Sequence, residues 1–196
     1  MWNVLFDTIR KQFRAIPNLE TERLYLRKIL PRDAEDMYEY SRDPDTSRFL
    51  LWEPHSSLSF TKSHISYLQR EYQRARFFDW ALVEKASDKM IGTCGFTEIY
   101  EKTKTAEVGY VLSPKFHRRG LAPEALKRVM DFGFTVLGLE ALFARFMEEN
   151  LASQKVLIRA GFREMPTEAE TFYKRGKKQQ ILTYTISREE YFLGKK

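Results

Sequence analysis

The stretch 108–125, VGYVLSPKFHRRGLAPEA, constrains this chain more than any other. Residues 108–112 form a short β-branched and aromatic run, which predicts a strand. Residues 113–119 form a turn closed by His117, Arg118 and Arg119. Gly120 then opens a helix. Pro123 and Glu124 lie in its first turn, followed by apolar Ala125, Leu126, Val129, Met130, Phe132, Gly133 and Phe134. A strand that runs through a basic turn into a helix N-terminus aims unpaired N–H groups and the positive end of a helix dipole at one point. That arrangement suits a phosphate. It is not a Walker loop, because no Gly-Lys-Ser/Thr stands at the helix start. A Rossmann turn needs three glycines at fixed offsets, and only Gly120 is present.

The rest of the chain alternates strands and helices. Trp2, Leu5, Phe6, Ile9 and Phe13 predict an amphipathic helix over 1–15, packed on its own domain. A strand is expected over 19–29 and a helix from Pro31 that stops before Pro44. Residues 45–58 read as a loop carrying Phe49, Leu50 and Trp52. Ser59 can cap a helix that runs to about residue 76. Three strands follow, over 78–85, 90–100 and 105–112, as an antiparallel meander, with Gly92 and Gly95 as bulge or close-approach points. The helix 121–137 ends at Gly138. A strand over 142–146, a helix to about Ala160 closed by Gly161, and a final hairpin of 162–175 and 180–186 around a basic turn complete a single domain of residues 1–196.

Several of these features resemble the GNAT N-acetyltransferases. His117-Arg118-Arg119-Gly120-Leu121-Ala122 is similar to that family's motif A, Gln/Arg-x-x-Gly-x-Gly/Ala, departing from it at His117 and Arg118. NLASQKVLIRAGF, from Asn150 to Phe162, resembles the closing motif Asn-x-x-Ser-x-x-x-x-x-Lys-x-Gly-Phe, with Arg159 in place of Lys. The phrase LETERL, residues 19–24, resembles an opening common in enzymes of the ribosomal-protein-alanine N-terminal type. The element order is that of the family too. The resemblance implies a mixed α/β fold whose central, mostly antiparallel twisted sheet is flanked by helices and splayed at the coenzyme A site.

It also implies a chemistry, attack of an amine on the thioester of acetyl-CoA, with no metal required. His117, Arg118, Arg119, Gly120, Leu121 and Ala122 would hold the pyrophosphate. A backbone N–H near Val111 or Leu112 would polarise the thioester carbonyl. Asn150, Ser153 and Leu157 share a helix face, which in the family looks at the pantetheine and thiol, and Arg159 closes the same motif. On spacing alone Asn150 is an N-cap and Ser153 a solvated helix serine. Leu157 stands where many GNAT enzymes carry a proton-donating tyrosine, so Ser153, or a water it orients, becomes the candidate acid. The amine must be neutral to attack. At pH 7 about 10% of an α-amine is neutral, against well under about 0.1% of a lysine amine. A proton acceptor is therefore needed. Glu107, on the central strand, is the candidate base; on periodicity alone it reads equally as a solvated carboxylate.

Composition limits the partners. With 33 basic and 27 acidic residues the chain carries +6, which favours anionic ligands. The charge is spread in both signs, so nucleic acid is disfavoured, and the basic run 174–178 reads as a hairpin tip. Cys94 is the single cysteine, so no intrachain disulfide is possible. No run is apolar enough to span a membrane, and no secretory pattern opens the chain. The expectation is a cytoplasmic monomer or homodimer that uses acetyl-CoA and an amine acceptor, such as a ribosomal-protein N-terminus. Small amines such as polyamines or antibiotics, and a non-catalytic acyl-CoA- or nucleic-acid-binding module, are the alternatives.

Overall fold

The computed structural model describes residues 16–75, 77–166 and 170–194. The helix expected over 1–15 lies outside them. Nine strands among the described residues join into one sheet. These are β1 (Leu19–Glu20), β2 (Leu24–Arg27), β3 (Phe78–Glu84), β4 (Lys89–Tyr100), β5 (Thr105–Leu112), β6 (Ala141–Met147), β7 (Arg163–Glu164), β8 (Glu170–Lys174) and β9 (Lys177–Ser187). The order across the sheet is β1-β2-β3-β4-β5-β6-β9-β7, with β8 also paired to β9. Every pairing is antiparallel except β5 with β6. The helices are α1 (Ala34–Ser41), α2 (Pro44–Ser47), α3 (Leu58–Gln73), α4 (Leu121–Thr135), α5 (Leu151–Ala160) and α6 (Arg188–Leu193).

Strand alternation sorts the sheet's two faces. Trp80 on β3 and Phe96 on β4 face α4, where the Trp80 ring meets that of Phe132 edge-on at 5.5 Å. Leu126, Val129, Met130 and Phe134 of α4 are fully buried there, as the 3.6-residue spacing of the sequence requires. On the other face α1 and α3 cover β3 and β4, with Ile65, Leu68 and Tyr72 of α3 buried. The Tyr72 hydroxyl donates to the Asp79 carbonyl at 2.7 Å. A partly buried ion pair, Arg27 to Asp33 at 2.7 Å, secures the entry to α1.

The mixed, mostly antiparallel fold expected from the sequence is present, and several boundaries differ from the expectation. The strand over 19–29 is two short strands, β1 and β2, because the chain turns at Thr21, whose N–H donates to the Leu24 carbonyl. The loop 45–58 contains α2, started by Pro44 and capped by Asp43, which accepts from the Asp45 N–H. Ser57, not Ser59, caps α3 by accepting from the Phe60 N–H at 3.1 Å. The strand expected over 162–175 is β7 and β8, which meet different parts of β9. The tail is α6, closed at its start by a reciprocal Ser187–Glu190 capping box. The basic run is the expected hairpin tip, with Arg175 and Gly176 both at positive φ.

Candidate active site

β5 and β6 are parallel neighbours for only three residue pairs, from Thr105↔Ala141 to Glu107↔Phe143. Beyond Glu107 they part. β6 continues along β9 to Met147, and β5 continues along β4 to Leu112. A wedge opens between them, and a strand edge left unpaired there presents N–H and C=O groups to a ligand. Which groups it presents follows from the ladder. The Ser113 N–H donates to the Ile91 carbonyl on β4 at 2.7 Å. In an antiparallel pair the backbone groups point alternately toward and away from the partner, so those of Val111 point to β4 and those of Tyr110 and Leu112 into the wedge. The Val111 carbonyl does lie against Gly92 on β4, 2.1 Å from where a Cβ would sit. Of the two amides expected to polarise the thioester, Leu112 therefore faces the opening, together with Tyr110, while Val111 serves the sheet.

At the outer end of β5 a 3-10 turn (Pro114–Phe116) leads to α4. The turn is fastened to its strand by His117, whose Nε2 lies 2.9 Å from the Leu112 carbonyl oxygen. Arg118 and Gly120 both have positive φ, 61° and 76°. Gly120 is the N-cap of α4 and places no side chain on its free amides. Among the described residues the N–H groups of Arg118, Arg119, Gly120, Leu121 and Ala122 have no protein acceptor. Successive amides with alternating left-handed residues form a concave anion nest at the positive end of a helix. Glu124 in the first turn does not compete for it, because Thr21 and Arg23 hold its carboxylate from the side, at 2.6 and 2.7 Å. Arg23 also donates to the Arg119 carbonyl at 2.8 Å, bracing the nest. Arg119 itself stacks its guanidinium on Phe116 at 4.9 Å and pairs with Glu84 at 3.5 Å.

α5 lines the wedge on the α4 side. Asn150 accepts from the Ser153 N–H at 3.1 Å, so its side-chain oxygen is an N-cap. Leu157, on the same helix face, is fully buried and has no proton to give. Arg159 is exposed in the last turn. The sequence reading missed Tyr110. Its hydroxyl lies 2.7 Å from the Ser153 hydroxyl, and it donates to the Ser153 carbonyl at 3.0 Å. Burial pushes its phenol well above the ordinary range, against the lowering effect of the Ser153 hydrogen bond. It is thus a neutral O–H donor at pH 7. A period-of-two reading already places Tyr110 on the buried face with Ala106 and Val108; what it lacks is the position of α5 above that face.

On the opposite face, Glu107 stands where the wedge begins. Both of its oxygens are held by Arg145 of β6, at 3.1 and 3.0 Å. Arg145 also lies 3.5 Å from Glu170 of β8. The candidate base is thus the anion of a bidentate pair that bridges β5 to β6. At the far end of β6, an open cleft of about 260 Å³ is lined by Arg48, Phe49, Met147, Lys174, Arg175 and Lys177, with Glu149 and Gln179. The hairpin tip docks on the 44–53 segment at this cleft. Lys174 Nζ donates to the Ser47 carbonyl at 2.9 Å and also to that of Leu50, and Arg175 pairs with Glu53 at 2.6 Å. His55 and His64, 5.4 Å apart, belong to a neighbouring aromatic cluster with Trp52 and Phe60. Burial, with a smaller contribution from His64, pushes His55 down to about 4, so it is neutral at pH 7.

An anion nest at a helix start, an unpaired strand edge beside it and a half-buried O–H donor across the wedge define a site for a phosphate-bearing thioester. The family model for an acetyltransferase (GNAT) domain matches residues 23–163. The chain is 31% identical to the uncharacterized N-acetyltransferase YoaA of Bacillus subtilis (strain 168) over 170 residues, which cover 87% of this chain and 96% of that one. Two solved structures share the fold. One is a ribosomal α-N-protein acetyltransferase in complex with coenzyme A (TM-score 0.75, 19% identity, 87% of this chain and 98% of that one). The other is the spermidine N-acetyltransferase of Vibrio cholerae in complex with CoA and spermine (TM-score 0.74, 20% identity, 88% and 99%). The chain belongs to the GNAT acetyltransferase family. It is an N-acetyltransferase that draws its acetyl group from acetyl-CoA, and the free amides of residues 118–122 fit the coenzyme's pyrophosphate.

Proposed function

We propose that the acceptor is the α-amine of a peptide or protein N-terminus followed by acidic or neutral residues. The observation that carries this is the charge of the cleft beside the wedge: four cations, Arg48, Lys174, Arg175 and Lys177, against one lining carboxylate, Glu149. Glu53, which pairs with Arg175, lowers the excess without reversing it. A polyamine brings several positive charges and would meet like charge here, which disfavours binding. An α-amine brings one, and its flanking carboxylates would find Arg48, since Lys174 is spent on the Ser47 and Leu50 carbonyls and Lys177 pairs with Glu149 at 2.7 Å. An α-amine also needs less help to lose its proton than a lysine amine does. The ribosomal-protein acetyltransferase among the structural relatives supports this choice, and the spermidine enzyme keeps the other one testable.

In this reading the Arg118–Ala122 amides hold the pyrophosphate, and the Leu112 and Tyr110 N–H groups face the thioester carbonyl. These are donors set in place before charge develops on that oxygen. The Tyr110 hydroxyl, paired with Ser153, supplies a proton to the departing sulfur. The Glu107–Arg145 pair ties β5 to β6 at the base of the wedge and fixes its opening. The test is a comparison of kcat/KM, with mass spectrometry of products, for a peptide that starts Ser or Ala and continues with acidic residues, for its lysine-flanked counterpart, and for spermidine. The acidic peptide is expected to be preferred, with the preference weakening as salt rises. Preference for spermidine contradicts the proposal.

A further inference from the structure

We propose that the side-chain amide of Gln179 on β9 reads the backbone of the acceptor, by hydrogen-bonding a peptide group two or three residues from the reacting amine. The proposal deepens the reading of the acceptor as a peptide α-amine and rests on it. Gln179 is 8% exposed and lines the cleft at the end of β6. Its side chain has no hydrogen-bond partner among the described residues, whereas an amide withdrawn this far from water normally finds one within the protein. Among those residues the fully buried, unpaired side-chain polar atom is Thr46 Oγ1. Both amide atoms of Gln179 therefore keep some contact with solvent. The small open part of the residue is its polar head, and it opens on the cleft.

Strand register relates that head to the wedge. Equal counting along the parallel pair from Glu107↔Phe143 sets Tyr110 to Leu112 level with the end of β6 at Met147. Arg145, which reaches Glu107, and Met147 are two apart on β6 and share one face of the sheet. Met147 pairs with Ile181 of β9. Gln179 is two residues from Ile181, on that same face. From the β6 edge of the wedge it is one strand across and two residues along, about 8 Å. An extended peptide covers that distance in about two to three residues.

The other polar heads at this place are engaged. Lys174 donates to the Ser47 and Leu50 carbonyls, Arg175 pairs with Glu53 and Lys177 with Glu149. Arg48 lies over the Phe49 ring at 5.0 Å and keeps its charge for an acidic side chain. Gln179 offers something different, a neutral carbonyl that accepts and an NH₂ that donates. A peptide group carries the matching N–H and C=O. A polyamine ammonium carries donors only, so the Gln179 NH₂ would be covered by such a substrate and left unpaired. A site with a polar group to satisfy discriminates against substrates that cannot pair with it.

The experiment measures kcat/KM for C-terminally amidated acceptors of increasing length: serinamide, then serine followed by alanines up to about five residues in all. Length then adds peptide groups without adding charge. Spermidine is run beside them. Wild type, Gln179→Met and Gln179→Leu are compared, with CoA affinity and melting temperature measured alongside. In wild type, kcat/KM should step up roughly tenfold where a peptide group first reaches Gln179, at about two to three residues. Gln179→Met keeps the stem and removes the amide. It should abolish the step, so that long acceptors fall to the level of serinamide, with CoA affinity unchanged. Absence of the step in wild type, its survival in Gln179→Met, or a loss shared equally by serinamide and the longer acceptors overturns the proposal and leaves the peptide reading standing. Acetylation of spermidine and of none of the peptides overturns both. Should Gln179→Met fold poorly, Gln179→Leu decides by the same step.

Discussion

Two hydroxyls 2.7 Å apart, on Tyr110 and Ser153, link β5 to α5 across the wedge. Burial keeps the phenol protonated at neutral pH, which is the state a proton donor must be in. Tyr110→Phe retains the ring and its packing and deletes only the donor. Turnover should fall by about 10²–10⁴, with CoA affinity nearly unchanged. Presteady-state acetylation with a confirmed acceptor checks this; an unaltered chemical step would mean the thiolate leaves without Tyr110. At this scale the sequence was readable where a residue's role depends on its neighbours in the chain. The positive-φ glycine at 120, the Asn150 cap and the free amides of the turn are local, and motif spacing points to them. Tyr110 was not readable, because its hydroxyl meets a residue far along the chain, Ser153.

At the scale of elements, the β8–β9 hairpin is held against the 44–53 segment chiefly by Lys174. Its ammonium is buried and donates to two backbone carbonyls, those of Ser47 and Leu50. Hydrogen bonds to a charged group contribute about 1.5–3 kcal/mol, and a buried carbonyl left without its donor costs more than a lost contact. Lys174→Met keeps the stem and removes the head. Denaturant unfolding should show a loss of about 1–3 kcal/mol. The acceptor KM should rise more than the CoA dissociation constant, because the hairpin walls the cleft proposed for the acceptor and not the α4 nest. An unchanged midpoint and KM would show that the hairpin is held by other contacts. Elements with a strong period, α4 above all, were predictable from spacing. The break between β7 and β8 was not, since an alternating pattern continues through both. Ser57 and Ser59 compete for one cap, and only the Phe60 N–H decides between them.

For the molecule as a whole, the sheet is what makes the site. Parallel pairing of β5 with β6 stops at Glu107↔Phe143, and the two strands follow different partners from there. Glu107 and Arg145 sit at the point of departure and tie the halves together. No helix among the described residues is long and apolar enough to cross a membrane. The central claim is that coenzyme A is held by the amides of residues 118–122 and along the wedge edge at Leu112. CoA at a hundredfold excess over its Kd should stabilise the fold by about 2.7 kcal/mol, but that alone does not locate it. Residue-resolved amide hydrogen exchange does. Without ligand, the amides of Arg118 to Ala122 have no protein acceptor and should exchange rapidly. With saturating CoA, those amides and that of Leu112 should become protected, while Val111, already bonded within the sheet, should change little. Protection that appears elsewhere while residues 118–122 exchange as before would contradict the account.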